Sequence, residues 1–379
     1  RSTMPNEKTS IVAHVNLLWC AHQRVGGSEE YLIRQLAGLQ QALSENDEPE
    51  ISCTLHLGRR LAAERHELDS FTQVVSRCDV DRQATRVAIE HTALARATRA
   101  ADLVHHGGGT LPIVRSSTPT VLTIHDLQYL RFPQYFSSSR RRYLQAMMPR
   151  SARVATTITT PTAHVADDVA RSFSVDREKI VVVPHGVPTL TADPAEVQHQ
   201  REVLGNGQPL VVYPAITHPH KGHLRLIAAM QRLRDAKLVL IGGVGSAEDD
   251  VLNAIAASPH PEQVIRMGRV SDEMRNALIA AADVVAIPSE EEGFGAPVIE
   301  AMTLGTPVVC SDIGALREVA GNAAILVGHE PENIADGISH ALESRDTLLS
   351  AASARVRDFT LEASGSALRS AYIRTVETA

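Results

Sequence analysis

Short apolar runs alternate along this chain with segments whose apolar residues recur every third or fourth position. Ile11–Trp19, Ile51–Leu57, Leu103–His106, Thr120–Ile124, Thr156–Thr160 and Ile180–Val183 read as buried strands. Between them, Leu32, Leu36 and Leu39 keep helical spacing behind a Gly26–Gly27 turn, with Ser28 a fair N-cap, and Arg82–Ala101 reads as a further helix. After a polar stretch, 187–206, the rhythm restarts at the strand Pro209–Tyr213. It continues through the strand-to-helix turn Leu238–Asp250, the helix Asp272–Ala281, the strands Ala281–Ile287, Thr306–Cys310 and Ala324–Val327, and the helices Ile334–Leu342 and Leu361–Thr375. Strand–helix alternation of this kind predicts doubly wound parallel sheets, and 379 residues suffice for two α/β domains. The boundaries expected are 1–188 and 189–359.

Composition narrows the function. No apolar run approaches the roughly 20 residues that span a bilayer, and no charged-then-apolar leader opens the sequence, which reads as cytoplasmic. Cys20, Cys53, Cys78 and Cys310 have neither CxxC spacing nor histidines at finger intervals, and are expected to be reduced core thiols. Residues 1–190 carry 22 Lys and Arg against 19 Asp and Glu, the remainder 15 against 25. An acidic second half and an aromatic content of 3% argue against a nucleic-acid partner.

Candidate chemistry concentrates in Pro288–Gly314, PSEEEGFGAPVIEAMTLGTPVVCSDIG. The loop EEEGFG lies between a strand and a short helix, about Pro297–Leu304, where open α/β sheets bind ligands and a helix start offers unpaired amides. Glu292 and Glu300 stand eight positions apart, so both carboxylates can face one pocket and accept from paired hydroxyls. Lys221 precedes a second helix, where its ammonium can neutralise a diphosphate. His125 closes the strand VLTIH ahead of Asp126. HHGGG at His105–Gly109 reads as a tight turn at a strand end, and Leu238–Asp250 as a glycine-rich strand-to-helix turn. Its acidic trio, Glu248–Asp250, reads as first-turn helix charge. Neither glycine turn fits a dinucleotide or Walker pattern.

The spacing Glu292-x7-Glu300, the run EGFGAPVIEAM and the following GTPVVCSDIGALRE resemble glycosyltransferase family 4, the retaining, sugar-nucleotide-dependent enzymes of GT-B fold. The resemblance implies two Rossmann-like domains facing each other across a cleft, with the terminal helix, 360–379, packing back on the first, and transfer of a hexose from a nucleoside-diphosphate sugar, with a lean to GDP-mannose. The acceptor would be a hydroxyl of a glycan, lipid-linked or small-molecule substrate. It implies that Glu300 holds the ribose diol, Glu292 the transferred sugar, and Lys221 the diphosphate. Gly26 and Gly27 would face the diphosphate, as would the helix start at Gly293, Phe294 and Gly295, while backbone groups of Arg269 and Val270 would meet the base. His125 takes the position of the family's active-site histidine, and no metal or other cofactor is implied.

Two departures bear on the site. Many relatives place an arginine where this chain has Ala215, so the diphosphate clamp is thinner or His218 or His220 supplies the donor. PHGVP also stands where the family usually has an asparagine before the glycine. Arg140–Arg142 open a basic amphipathic helix that either meets an anionic membrane surface or forms a solvated face beside the acceptor. The rival functions are a sugar-nucleotide epimerase or hydrolase on the same fold, and a non-catalytic nucleotide-sugar-binding protein.

Overall fold

Among the described residues thirteen strands run parallel within two sheets, as expected where helices cover both faces. The computed structural model describes residues 10–20, 27–42, 49–114 and 117–379. The chain divides into two compact units, 1–186 with 360–379, and 187–359.

In the first unit, β1 (Ser10–Asn16), β2 (Glu50–Leu57), β3 (Thr72–Val75), β4 (Leu103–His106), β5 (Thr120–Thr123), β6 (Thr157–Thr160) and β7 (Ile180–Val182) lie in the order 3-2-1-4-5-6-7. Strand order therefore reverses between β1 and β4, where Asn16 pairs with His106. β1 stops at Asn16 rather than Trp19, because Asn16 Oδ1 accepts from the Leu18 amide at 3.1 Å and starts a turn. The helix Gly27–Ala42 includes Ser28 within its first turn, so Ser28 is not its N-cap, and Gly26 lies outside the described residues. The stretch expected as one helix, Arg82–Ala101, is α-helical over Gln83–Ile89, widens into a π turn at Glu90–Leu94, and ends as helix at Ala97. β3 escaped the sequence reading because it is a mostly exposed edge strand with little apolar patterning.

The terminal helix Leu361–Glu377 lies on Gly27–Ala42 at a glycine contact. A Cβ on Gly38 would stand 1.9 Å from the Leu361 carbonyl oxygen, and one on Gly365 2.0 Å from the Gly38 carbonyl carbon. Behind the sheet this helix joins a buried polar chain. Tyr372 Oη lies 2.9 Å from His105 Nδ1, His105 Nε2 lies 2.7 Å from Thr123 Oγ1, and Thr123 reaches Thr159 at 2.8 Å. The threonines of β6 (TITT), all buried, thus have hydrogen-bonding work in the core.

In the second unit, β8 (Leu210–Pro214), β9 (Lys237–Ile241), β10 (Val264–Gly268), β11 (Val284–Ile287), β12 (Val308–Ser311) and β13 (Ile325–Val327) lie in the order 10-9-8-11-12-13, reversing between β8 and β11. β8, β11 and β12 are buried along their whole length, which explains their continuous apolar runs. The helices Gly314–Ala320 and Arg345–Arg355 were not foreseen. The first is short, and the second buries only Leu348 and Ala352. Cys20, Cys53 and Cys310 are buried thiols, but Cys78 is exposed in the turn after β3, so the expectation of four core cysteines fails there. Among the described residues no helix is long and apolar enough to cross a membrane.

Candidate active site

The reversal point of the second sheet brings the carboxyl ends of β8 and β11 side by side, and each carries a candidate loop. After β8 the chain makes a short 3-10 turn, Pro219–Lys221, and enters the helix His223–Met230 through Gly222 at φ +74°. Only glycine serves there, since a Cβ would lie 2.2 Å from the Pro288 carbonyl oxygen at the end of β11. The two loops are stitched by backbone, with the Glu290 amide donating to the His220 carbonyl at 2.7 Å. Tyr213, buried at the end of β8, donates its hydroxyl to the Lys221 carbonyl at 2.7 Å and lies 3.2 Å from the buried Ser289 hydroxyl. Arg225 forms an ion pair with Glu290 across the same seam.

On this scaffold Lys221 Nζ stands 2.6 Å from Glu292 Oε1. Residues 71 positions apart therefore converge, and each keeps part of its side chain open to solvent. Such a pair offers a cation and an acceptor at one point, suited to a ligand carrying phosphate and hydroxyls. Glu300, one turn into the helix Ala296–Thr303, is 3% exposed and forms an ion pair with Arg275 of the helix Asp272–Ala281. Arg275 was not foreseen, because its partner is 25 residues distant and no local spacing announces it. Gly295 caps the helix at φ +87°, with room for a Cβ blocked by Leu316 at 2.3 Å. The Phe294 ring packs into the core, edge-on to Phe359 at 5.3 Å, so any ligand contact at this position is left to the backbone. Gly293 precedes it, half-buried.

Arg269 and Val270 follow β10. Val270 packs against the core, whereas Arg269 is exposed with its guanidinium beside Gly243. The glycine turn 242–247 is occupied by protein. A Cβ on Gly242 would meet the Ala215 carbonyl oxygen at 2.2 Å, and one on Gly245 the Thr217 carbonyl oxygen at 2.4 Å. Glu248 anchors the turn through Arg266 at 2.9 Å and Thr217 at 2.5 Å, while Asp249 and Asp250 remain first-turn helix charge. Beside Ala215, the rings of His218 and His220 stack at 5.8 Å. Burial, then the Lys221 charge, pulls His220 down to about 3, and both effects lower His218. These rings are neutral near pH 7, so what they can offer a ligand is N–H donation rather than charge.

His125 belongs to the first unit, just past β5. Its Nε2 lies 2.8 Å from the Gly107 carbonyl, so Nε2 carries the proton and donates. Tyr31 meets the ring edge-on at 5.2 Å and Trp19 lies 6.0 Å away. Burial lowers its pKa, leaving a neutral imidazole with Nδ1 as its lone-pair nitrogen. Gly27 opens the first helix with clear space around it. Among the described residues, no three His, Cys, Asp or Glu side chains converge as a metal-ligand set.

Two parallel-sheet, Rossmann-like units, with candidate residues at the carboxyl ends of their strands, define a protein of the GT-B class. Residues 195–357 match the family described as glycosyl transferases group 1, and residues 25–189 match glycosyltransferase family 4. The chain belongs to the family 4 glycosyltransferases. It is 31% identical over 254 residues to O-antigen chain mannosyltransferase B of Escherichia coli, covering 64% of this chain and 65% of that protein. It is 28% identical to a D-inositol 3-phosphate glycosyltransferase of Xylanimonas cellulosilytica, covering 90% and 81%. The match to an MMP alpha-(1->4)-mannosyltransferase of Mycolicibacterium hassiacum, at 30% identity, spans 58% of this chain and 56% of the relative's length. Anabaena HepE, crystallised with UDP and glucose, shares the fold at a TM-score of 0.74 and 19% identity, over 95% of this chain and 98% of that one.

Proposed function

We propose that this chain transfers a hexose, with retention, from a nucleoside-diphosphate sugar to an acceptor hydroxyl. The observation that carries the reading is the convergence of Lys221 on Glu292 at the β8–β11 reversal, with Glu300 buried one turn into the adjoining helix. In this reading the anomeric C–O bond to the diphosphate breaks as the acceptor oxygen bonds to the same face of the sugar. The acceptor's proton passes to the departing phosphate. Negative charge grows on that phosphate, and in this reading Lys221, the amides at Gly293–Gly295 and the N–H groups of His218 and His220 stabilise it. Gly26 and Gly27 are assigned to the same diphosphate, and Arg269 and Val270 to the base. Glu300 takes the ribose hydroxyls, exchanging part of its bond with Arg275, and Glu292 the sugar hydroxyls. His125 serves the reacting sugar as a neutral, positioned imidazole.

Mannosyltransferases among the relatives favour a mannose donor, and GDP-mannose is the first to try; the neighbours crystallised with UDP and UDP-glucose make UDP-sugars the alternative. Titration of Lys221→Ala and Glu300→Ala with GDP- and UDP-sugars is expected to show weakened donor binding. His125→Ala is expected to lose turnover chiefly. Wild-type affinity and rate in all three variants refute the assignment. Donor incubated without acceptor separates the rivals, since an epimerase returns an isomeric donor and a hydrolase free sugar.

A peripheral membrane contact is the second part of the proposal. The helix Ser138–Val154 exposes Arg140, Arg142 and Tyr143. Arg150 of the same helix holds the carbonyls of Pro112 and Ile113, beside the exposed Ile113 and Val114 side chains. Cations beside apolar side chains suit an anionic lipid surface. Sedimentation with phosphatidylglycerol vesicles should fall for a triple Arg140, Arg141 and Arg142→Ser variant, and equal pelleting of both proteins rejects the contact.

A further inference from the structure

The first sheet also reverses, between β1 and β4, and a cavity of about 440 Å³ adjoins that point. Its lining mixes the apolar side chains of Leu94, Val104 and Leu111 with serine and threonine hydroxyls such as that of Thr118, and it includes the side chains of Glu90 and His106. Val104 and His106 are two residues apart on β4 and so share one face of the sheet. A volume of this size suits a small organic ligand.

Asn16 fixes the chemistry of the polar end. Its Oδ1 accepts from the Leu18 amide at 3.1 Å, so its NH₂ faces the other way. That NH₂ donates to Glu90 Oε1 at 3.0 Å and lies 3.3 Å from His106 Nδ1. Nδ1 must then accept, which puts the proton of the neutral ring on Nε2. Among the described residues nothing takes the Nε2 hydrogen, although His106 is only 5% exposed. Glu90 keeps its second carboxylate oxygen as an acceptor. One N–H donor and one carboxylate acceptor beside the apolar side chains of Leu94, Val104 and Leu111 match a hydroxyl, which gives one hydrogen bond and takes one. The neighbouring residue, Gly107, holds His125 through its carbonyl, so the cavity wall and the active-site histidine share a strand end.

We propose that this cavity binds a small amphipathic alcohol, its apolar body along Leu94, Val104 and Leu111 and its hydroxyl between Glu90 and the Nε2–H of His106. The site deepens the transferase reading if that alcohol is the acceptor, and that part rests on the reading above. A separate regulatory alcohol has the same chemistry.

Hexyl and methyl α-D-mannopyranoside serve as probes, titrated calorimetrically into the full chain. The hexyl probe is expected to bind at least about tenfold tighter, since each buried methylene contributes about 0.8 kcal/mol and 1.4 kcal/mol is tenfold. Val104→Phe fills the cavity and should abolish that difference, and Leu94→Phe fills it from the helical side should Val104→Phe fail to fold. Glu90→Leu and His106→Phe should weaken both probes about tenfold, as expected for a lost hydrogen bond to a charged group or buried donor. Equal affinity for the two probes overturns the proposal, as does an unchanged preference in a folded cavity-filling variant. Mass spectrometry with sugar donor present separates the sources: a hexosylated probe marks the acceptor, and binding without product a regulator. Nucleoside-diphosphate titration run in parallel reports on the transferase reading alone, so the two can fail independently.

Discussion

The two sheets reverse strand order in the same way, yet they furnish their reversal points with opposite chemistry. In the second unit the point is ionic, with Lys221 on Glu292, Arg225 on Glu290 and Glu300 on Arg275. In the first it is largely neutral, with Asn16, His106 and His125 bonded to amide and carbonyl groups and the carboxylates of Glu90 and Asp126 beside them. Topology thus selects where a ligand sits, while the residues delivered to that place select what it is. Charge at one point fits a diphosphate, and single donors and acceptors at the other fit hydroxyls.

Breaking the ionic side should cost most. Arg275→Ala removes an ion-pair partner from the Glu300 carboxylate, which is 3% exposed. Removing one partner of a buried pair costs about 3–5 kcal/mol, and urea unfolding measures it. On the neutral side Asn16→Ala should cost about 1–3 kcal/mol, the penalty for buried groups left unsatisfied. Equal losses would erase the contrast. Gly222→Ala comes next. It forces a side chain into a positive-φ position 2.2 Å from the Pro288 oxygen, for about 1–3 kcal/mol of strain, and should pull Lys221 off Glu292 and weaken nucleotide binding.

Acid probes both sides together. Burial holds His105 at about 3 and His56 and His106 at about 4 in the first unit, with His220 at about 3 and His223 at about 4 in the second. An unfolded histidine titrates near 6.5, so between that value and about 4 the unfolded chain binds more protons, and stability falls as pH falls. The urea midpoint should be flat above pH 7 and drop steadily from about 6.5 to 4. His105→Asn should flatten that slope, and an unchanged slope would show that His105 is not held neutral. The smallest effect belongs to Cys78→Ser, expected within about 0.5 kcal/mol as an exposed change. A thiol reagent should label the native protein at Cys78 well before Cys20, Cys53 or Cys310.

Much of this was legible along the chain. Continuous apolar runs announced β8, β11 and β12, because strands covered on both faces need no alternation. The helix Asp272–Ala281 was readable to the residue, since Ser271 caps it through the Met274 amide at 3.2 Å and its apolar spacing is regular. Edge strand β3 and the π turn at Glu90–Leu94 were not, for neither carries a local pattern.

The order of residues alone determined the α/β rhythm and the family likeness around Glu292 and Glu300. These depend on neighbours a few positions away, which a linear reading can weigh. Tertiary structure decided that Lys221 meets Glu292, that Arg275 neutralises Glu300, that Phe294 turns into the core, and that Asn16 sets the proton on His106. Each of those joins groups brought together only when parallel strands pair across crossover connections, and no local spacing encodes such a meeting.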